Sequence, residues 1–324
     1  MRAVVCDRFG PPEVLRLQYI ERPVPRRGEV LVRVVATTMT RTDCDLRHPG
    51  RLTGRLGGAR GRPKQRIAGR ELAGEIEAAG HGVTTFKVGD PVFGISPDRL
   101  GAHAEFVCLP QDAPLAHKPR GVTFEQAAAV SEGAITALAC LKTAGLDPGH
   151  TIVIHGAAGS IGTAAVQLAR HLGATVTAVC APQHAGMVAS LGADHVIDYT
   201  QEDFTRNGQA YDVIFDAAGH LRFHDCEGSL KPDGRYLDTD LLRGAALNRL
   251  TAVVADKRVM VPEPPTYSRA DLEFVRQLVE AGQYRPVIDR HYPLERVVEA
   301  ARYVEAGQKT GSVVLTVGGP HHLI

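Results

Sequence analysis

The stretch Thr151–Gly162, Thr-Ile-Val-Ile-His-Gly-Ala-Ala-Gly-Ser-Ile-Gly, constrains the fold more than any other part of the chain. A run rich in β-branched residues leads straight into a glycine-rich turn. An amphipathic segment, Ile161 to Leu172, follows with Ala165, Leu168 and Ala169 at helical spacing. This order reads as strand, tight turn and helix. Glycine in such a turn lets the backbone come close to a pyrophosphate, and the helix N-terminus offers N–H groups and the positive end of its dipole. Glycine spacing alone is a weak signal; the strand before and the helix after are the context that points to a dinucleotide. The expected cradle is Gly156, Ala157, Ala158, Gly159, Ser160, Ile161 and Gly162.

Around this turn strands and helices alternate. Strands are expected at 151–155, 175–180, 195–198, 212–215 and 234–238, and helices at 161–172, 183–191 and near 222–230. Such alternation builds a parallel sheet covered on both faces. Thr123 is the expected N-cap of a preceding helix, with Gln126 as its capping-box partner. Residues 1–120 read differently, as mostly β: Glu29–Ala36 and Glu71–Ala78 are strand-like, and Pro23-Val-Pro25, Gly80-His-Gly82 and Gly89-Asp-Pro91 mark turns. Arg47–Arg66, rich in Gly and Arg and without period, reads as a long loop. A helix at 270–281, a strand from Pro286, a helix over Leu294–Ala306 and a strand over Ser312–Val317 close the chain. The expected fold is α/β: a β-rich domain, 1–120, completed by about 285–324, and a doubly wound parallel-sheet domain, 121–284. A chain of 324 residues can bury two such cores.

Composition removes several function classes. Lys plus Arg number 37 against 36 Asp plus Glu, a balance that argues against nucleic acid or an anionic membrane as partner. No apolar run reaches spanning length, and Met1-Arg-Ala-Val-Val-Cys reads as a first strand rather than a leader. The six cysteines are scattered with no Cys-x-x-Cys pair, which argues against a disulfide framework or a zinc knuckle. They are expected to be buried thiols of a cytoplasmic protein.

The second strand, Thr175–Cys180, settles a preference among dinucleotides. NAD-binding versions of this unit carry an Asp or Glu about 20 residues past the glycine turn, on the adenosine ribose. Here Cys180 is followed by Ala181, Pro182, Gln183 and His184, with no carboxylate. A 2′-phosphate is not repelled, and His184 and the Tyr199 hydroxyl are placed to face it. NADP(H) is expected over NAD(H).

Several motifs jointly resemble the medium-chain dehydrogenase/reductase superfamily, and within it the zinc-independent quinone oxidoreductase group. They are Gly69-Arg-Glu-Leu-Ala-Gly74, Phe86-Lys-Val-Gly-Asp-Pro-Val-Phe-Gly94, Ala128-Ala-Val-Ser-Glu-Gly-Ala-Ile-Thr136, the Ala157-x-Gly-x-x-Gly162 turn, Leu191-Gly-Ala-Asp-His-Val-Ile-Asp-Tyr199, Tyr211-Asp-Val-Ile-Phe-Asp-Ala-Ala-Gly219 and Leu230-Lys-Pro-Asp-Gly234. The Gly-Arg-Glu form resembles the branch of the reticulon-4-interacting NADPH oxidoreductases. The resemblance covers essentially the whole chain. It implies a GroES-like first domain, a Rossmann second domain, and a homodimer, with Lys257–Pro262 as an edge strand pairing with its copy. It also implies that Thr136 begins a helix facing the cofactor and that Ala218 lies at the cofactor site.

The resemblance sharpens the chemistry through what is missing. Zinc members use Cys in Cys-x-Thr-Asp and His in Gly-His-Glu, where this chain has Thr40-Arg-Thr-Asp43 and Gly69-Arg70-Glu71. Thr is a poor zinc ligand and protonated Arg offers no lone pair; Glu132, near the third ligand position, cannot hold zinc alone. No metal is expected, so alcohol oxidation gives way to hydride addition onto an electrophilic acceptor, a quinone or an α,β-unsaturated carbonyl. Three residues are candidates for the reacting end: Thr40 as a hydrogen-bonding hydroxyl, Arg70 as a cation near a developing enolate oxygen, and Asp43 as organiser. Arg70 has a competing structural reading, an ion pair with Asp43 or Glu71. The tyrosine that many relatives carry after the next glycine is missing from His48-Pro-Gly50-Arg51-Leu52. A biosynthetic enoyl reductase, a redox-neutral enzyme and a non-catalytic NADPH-binding protein remain alternatives.

Overall fold

The computed structural model describes residues 1–48, 67–97, 99–239, 258–260 and 267–318, the segment 258–260 as backbone only. The chain divides into two compact units: Met1–Glu132 with Tyr267–Glu280 and Pro286–Ile324, and Gly133–Thr266 with Ala281–Arg285.

Among the described residues the second unit holds one six-stranded parallel sheet, ordered His195–Asp198, Thr175–Cys180, Thr151–His155, Tyr211–Asp216, Leu230–Asp238, Arg258–Met260. Its strands are apolar on both faces because both faces are covered: Val153, Val176, Ala178, Val213 and Phe215 are fully buried. The chain order reverses between Thr151–His155 and Tyr211–Asp216. In open parallel sheets the crevice beyond the carboxyl ends of the strands at that reversal is where ligands bind. The strand Arg258–Met260 takes the expected edge position beside Leu230–Asp238; Lys257, Val261 and Pro262 lie outside the described residues. Two expected helices are interrupted. Pro182 turns the first part of 183–191 into a 3₁₀ turn before the helix Ala185–Ser190, and 222–230 splits into Phe223–Cys226 and a 3₁₀ turn over Glu227–Ser229.

The first unit is built on the long strand Glu29–Met39. Its seven-stranded sheet runs Ile288–Pro293, Ser312–Thr316, Glu29–Met39, Glu71–Ala79, Pro91–Ile95, Leu115–His117, with Phe106–Pro110 also paired to Glu29–Met39. Val30, Val32, Leu72, Ile76, Val313 and Leu315 fill one core. The strand expected from Pro286 starts instead at Ile288 and runs to Pro293. Two helices that lie within 121–284 pack with the first unit. The helix Phe124–Ala128, capped by Thr123 and Gln126 as expected, packs on Glu29–Met39 and Glu71–Ala79. The helix Arg269–Glu280 is fastened to the same unit by Arg269, whose Nε donates to the Leu115 carbonyl at 2.9 Å and whose Nη2 donates to that of Gln111. Among the described residues no helix is long and apolar enough to cross a membrane. The long loop 47–66, Gly50–Leu52 included, lies outside the described residues from residue 49 onward.

Candidate functional site

In the second unit the glycine turn has the expected geometry, and its three glycines serve different needs. Gly156 has φ +76°, a left-handed conformation, and a Cβ there would sit 2.7 Å from the Ala218 Cβ. Gly162 lies in the helix Ser160–His171, where a Cβ would fall 2.2 Å from the Gly156 carbonyl oxygen. Both are required by the protein's own packing. Gly159 is not: its φ of −74° suits any residue. A Cβ there would meet only the Gly156 oxygen, at an ordinary 3.5 Å. Gly159 is the N-cap, and no side chain caps the helix. An open backbone surface at an uncapped helix start fits a pyrophosphate. Gly156 and Ala157 both donate to the Val179 carbonyl, at 3.2 and 3.1 Å, which ties the turn to the second strand.

Two residues that sequence reasoning missed brace the neighbouring segment after Tyr211–Asp216. Asp216 is fully buried at the end of its strand; one carboxylate oxygen accepts from the Ala218 and Gly219 N–H groups, the other from Leu221 N–H at 2.7 Å. His155 Nδ1 lies 3.0 Å from the same carboxylate, across the point where strand order reverses. The tandem position of His155 and Asp216 on adjacent strands, paired in register, was the available signal.

At the end of the second strand the structure brings Cys180 and Tyr199 together: Tyr199 N–H donates to the Cys180 carbonyl at 3.4 Å. The Tyr199 ring is 57% exposed. His184 closes the 3₁₀ turn Pro182–His184 after Ala181 and is half-buried. Register also places Asp198 opposite Cys180. Its carboxylate is engaged by Thr200, at 2.9 Å to N–H and 2.7 Å to the hydroxyl. Burial, with help from Asp198, pushes the Cys180 thiol up. Thr136 does not begin its helix; the helix runs Ser131–Thr143, because Ser131 rather than Thr136 follows the break at Ala129–Val130.

In the first unit the segment Thr40–Asp43 is a capping box. Thr40 caps the short helix Arg41–Asp45, accepting from Asp43 N–H at 3.0 Å, while its own N–H and hydroxyl donate to Asp43 Oδ2 at 3.0 and 2.7 Å. Asp43 thereby holds both the backbone and the hydroxyl of Thr40. Arg70 corrects an expectation. It pairs with neither Asp43 nor Glu71; its Nη1 contacts Glu132 Oε1, which also accepts from the Thr42 hydroxyl at 2.9 Å. Glu71 points the other way, taking the Thr38 hydroxyl on one oxygen and the Glu132 N–H on the other. Arg70, Glu71, Glu132 and Asp43 are all buried. Burial works against the Arg70 cation, but Glu132 outweighs it and keeps the guanidinium protonated. Burial, then the Glu132 charge, pushes the Glu71 carboxyl up to about 8. Glu132 Oε2 and Asp43 Oδ1 are buried with no hydrogen-bond partner among the described residues.

A further residue joins this cluster from far along the chain. The Tyr267 ring centroid lies 5.4 Å from the Arg70 guanidinium carbon, and its presence, after that of Glu132, helps hold Arg70 charged. Tyr267 directly precedes Ser268, whose hydroxyl accepts from Asp271 N–H at 3.1 Å and so caps the helix start. That Ser-x-x-Asp spacing was legible; the partner of the tyrosine was not.

Residues 26–120 match the family described as alcohol dehydrogenase GroES-like domain, and residues 191–315 the family described as zinc-binding dehydrogenase. An Arabidopsis thaliana protein named NADPH-dependent alkenal/one oxidoreductase is 30% identical over 97% of this chain and 79% of its own length. A Mus musculus protein named NAD(P)H oxidoreductase RTN4IP1 is 31% identical over 98% of this chain and 89% of its own. The solved quinone oxidoreductase of Coxiella burnetii superposes with a TM-score of 0.89 at 27% identity, covering 98% and 99% of the two chains. The chain belongs to the quinone oxidoreductase-like group of the medium-chain dehydrogenases/reductases.

This member of the group is an oxidoreductase with a GroES-like and a Rossmann-type domain. The zinc that one matched description implies does not fit its residues. Arg70 is held as a cation and has only donors; the Thr40 hydroxyl is committed to Asp43; Glu132 Oε1 is shared by Arg70 and Thr42. Among the described residues no group of three or more His, Cys, Asp or Glu side chains could hold a metal. The six cysteines are free thiols. Burial pushes Cys44, Cys140 and Cys226 up to about 12, while Cys108 is only half-buried, contrary to expectation.

Proposed function

We propose that the protein is an NADPH-dependent, zinc-free reductase of quinones or α,β-unsaturated carbonyls. The observation that carries this reading is the buried Arg70–Glu132 pair standing where zinc relatives place a ligand, so that a fixed guanidinium takes the electrostatic part of a metal. NADPH, when bound, supplies the hydride. Gly156–Gly162 would hold its pyrophosphate, Ala218 and Thr136 would adjoin it, and Cys180, Ala181, His184 and Tyr199 would surround its 2′-phosphate. Thr40, whose hydroxyl already donates to Asp43, could hydrogen-bond the acceptor only by giving up that contact, and Asp43 would fix Thr40 in place. Arg70 would stabilise negative charge as it develops on the acceptor oxygen.

The names of the relatives support the acceptor class, and the missing carboxylate after Cys180 supports NADPH. Mixing the protein with NADPH and a panel of quinones and enones should accelerate loss of nicotinamide absorbance, with NADPH bound more tightly than NADH. Activity should survive dialysis against strong chelators. No turnover with any acceptor, tighter NADH binding, or loss of activity with zinc removal would each overturn the corresponding part. The same reading includes a cytoplasmic homodimer paired through Arg258–Met260, since an uncovered sheet edge is a liability that two-fold pairing removes. Sedimentation as a monomer at micromolar concentration would remove the dimer.

A further inference from the structure

We propose that His155 binds the dinucleotide, its Nε2 accepting a hydrogen bond from the 3′-hydroxyl of the adenosine ribose. The proposal rests on the reading of Gly156–Gly162 as the pyrophosphate cradle and of Cys180, Ala181, His184 and Tyr199 as the 2′-phosphate corner. It supplies the group that would hold the sugar between them.

The 5′-pyrophosphate and the 2′-phosphate of NADPH hang from one sugar. A dinucleotide held at both places must lay that ribose over the carboxyl ends of Thr151–His155 and Thr175–Cys180, which are neighbours in the sheet. His155 ends the first of these strands and stands opposite Val179, the residue before Cys180. Its carbonyl accepts from the Ala217 N–H at 3.0 Å, and the Val179 carbonyl takes the Gly156 and Ala157 N–H groups that follow it, so its backbone is fixed on both sides. Ile152, Val153 and Ile154 before it are fully buried, as a strand covered on both faces requires. Histidine breaks that apolar run where the sheet meets the crevice. Its side chain is 18% exposed, whereas that of Asp216 beside it is fully buried.

Asp216 orients the ring. Its carboxylate accepts from the Ala218, Gly219 and Leu221 N–H groups, so it is satisfied without the imidazole and meets the ring as an acceptor. The hydrogen between them, across 3.0 Å, therefore belongs to Nδ1. In the neutral imidazole the lone pair then lies on Nε2, which has no partner among the described residues. A lone pair cannot pair with phosphate oxygens, which only accept; it needs a hydroxyl. On the adenosine ribose of NADPH the 2′-position carries phosphate, and the 3′-hydroxyl is the one left to donate.

Calorimetry at about pH 8, where an imidazole is neutral, tests the contact without turnover. The probes are 2′,5′-ADP, which has this ribose and no nicotinamide, and its 3′-deoxy analogue. The wild type should bind the deoxy analogue about five- to tenfold more weakly, the effect of one lost hydrogen bond. His155→Asn keeps an amide N–H for Asp216 and has nothing at the Nε2 position. It should bind 2′,5′-ADP and NADPH weaker by the same factor and no longer distinguish the two probes. His155→Gln, whose longer side chain carries its amide to the Nε2 position, should recover part of the preference, and it serves as the second variant where His155→Asn does not fold. Equal affinity of the wild type for both probes, or an undiminished preference in His155→Asn, overturns the proposal. A wild type that binds NADPH but shows no preference removes His155 alone. One that binds neither NADPH nor 2′,5′-ADP removes the cradle reading with it.

Discussion

At the Gly156–Gly162 turn the chain offers backbone and almost no side chain; around Arg70 it crowds charged side chains into a space water scarcely reaches. Specificity at the turn comes from what is left out, since Gly159 keeps a surface open that no neighbour among the described residues requires to be open. In the Arg70 cluster it comes from what is put in, with each charge held by another. A site of the first kind tolerates change in its surroundings but not at its glycines. A site of the second kind is coupled, so removing one member leaves the others uncompensated.

The largest effect should come from breaking that coupling. Arg70→Met leaves Glu132 buried without its cation and should cost about 3–5 kcal/mol in urea unfolding. Arg70→Met combined with Glu132→Gln should recover much of the loss. If the single variant is as stable as wild type, the cluster is not coupled.

The turn should separate stability from binding. Gly162→Ala drives a Cβ against the Gly156 carbonyl and should destabilise by about 1–3 kcal/mol, as overpacking does. Gly159→Asp should leave the melting temperature nearly unchanged and abolish NADPH binding, measured by calorimetry, because it sets a carboxylate against the pyrophosphate. A Gly159→Asp protein that binds NADPH normally would remove the cofactor from this turn.

The two regions should also answer pH with opposite signs. Glu71 is raised to about 8 in the fold, above its ordinary 4.5. The fold therefore binds a proton that the unfolded chain has lost, and stability should fall as pH rises from about 4.5 to about 8. Glu71→Gln should flatten that fall. In the second unit, Asp212 is held down to about 2, against 3.8. Burial opposes this, but the Lys231 ammonium and the Thr151 N–H and hydroxyl outweigh it. Its contribution is present above 3.8 and is lost as pH falls towards 2, so Asp212→Asn should remove an acid-side loss instead. Like signs in the two variants' pH–stability profiles would contradict the contrast. The smallest effect belongs to Thr40→Val, which removes one cap and should cost about 0.5–2 kcal/mol by thermal unfolding.

The same contrast explains how much the sequence made legible. The turn was readable because its demands are local: the left-handed Gly156, the close approach at Gly162 and the strand and helix that flank them lie within one stretch. The parallel sheet followed from the same alternation, while its edge strand was expected only from the resemblance. The Arg70 cluster was readable only in its parts. Thr40 and Asp43 are three residues apart and form their box locally, whereas Glu132 stands 62 residues from Arg70, and nothing in periodicity selects it over Asp43 or Glu71. Tyr267 was invisible for the same reason, whereas Asp216 and His155 left a signal in their matching places at the ends of two strands. The helix start at Ser131 was misplaced because Thr136 carries a motif resemblance but no break precedes it.

The division of the chain has a consequence for how it is made. The second unit is nearly continuous in sequence, but the first sheet needs Ser312–Thr316 beside Thr37 and Thr38, which were synthesised long before. Pairing across such a separation is slow, because loop closure must precede any gain from contact. As the chain leaves the ribosome, Gly133–Thr266 has its partners early, while Ala36–Met39, the end of the long strand, waits for its last partner. A chain stopped before Ile288 would keep the Ala36–Met39 end of that strand as an open edge, and should collect as aggregate while its other unit remains folded.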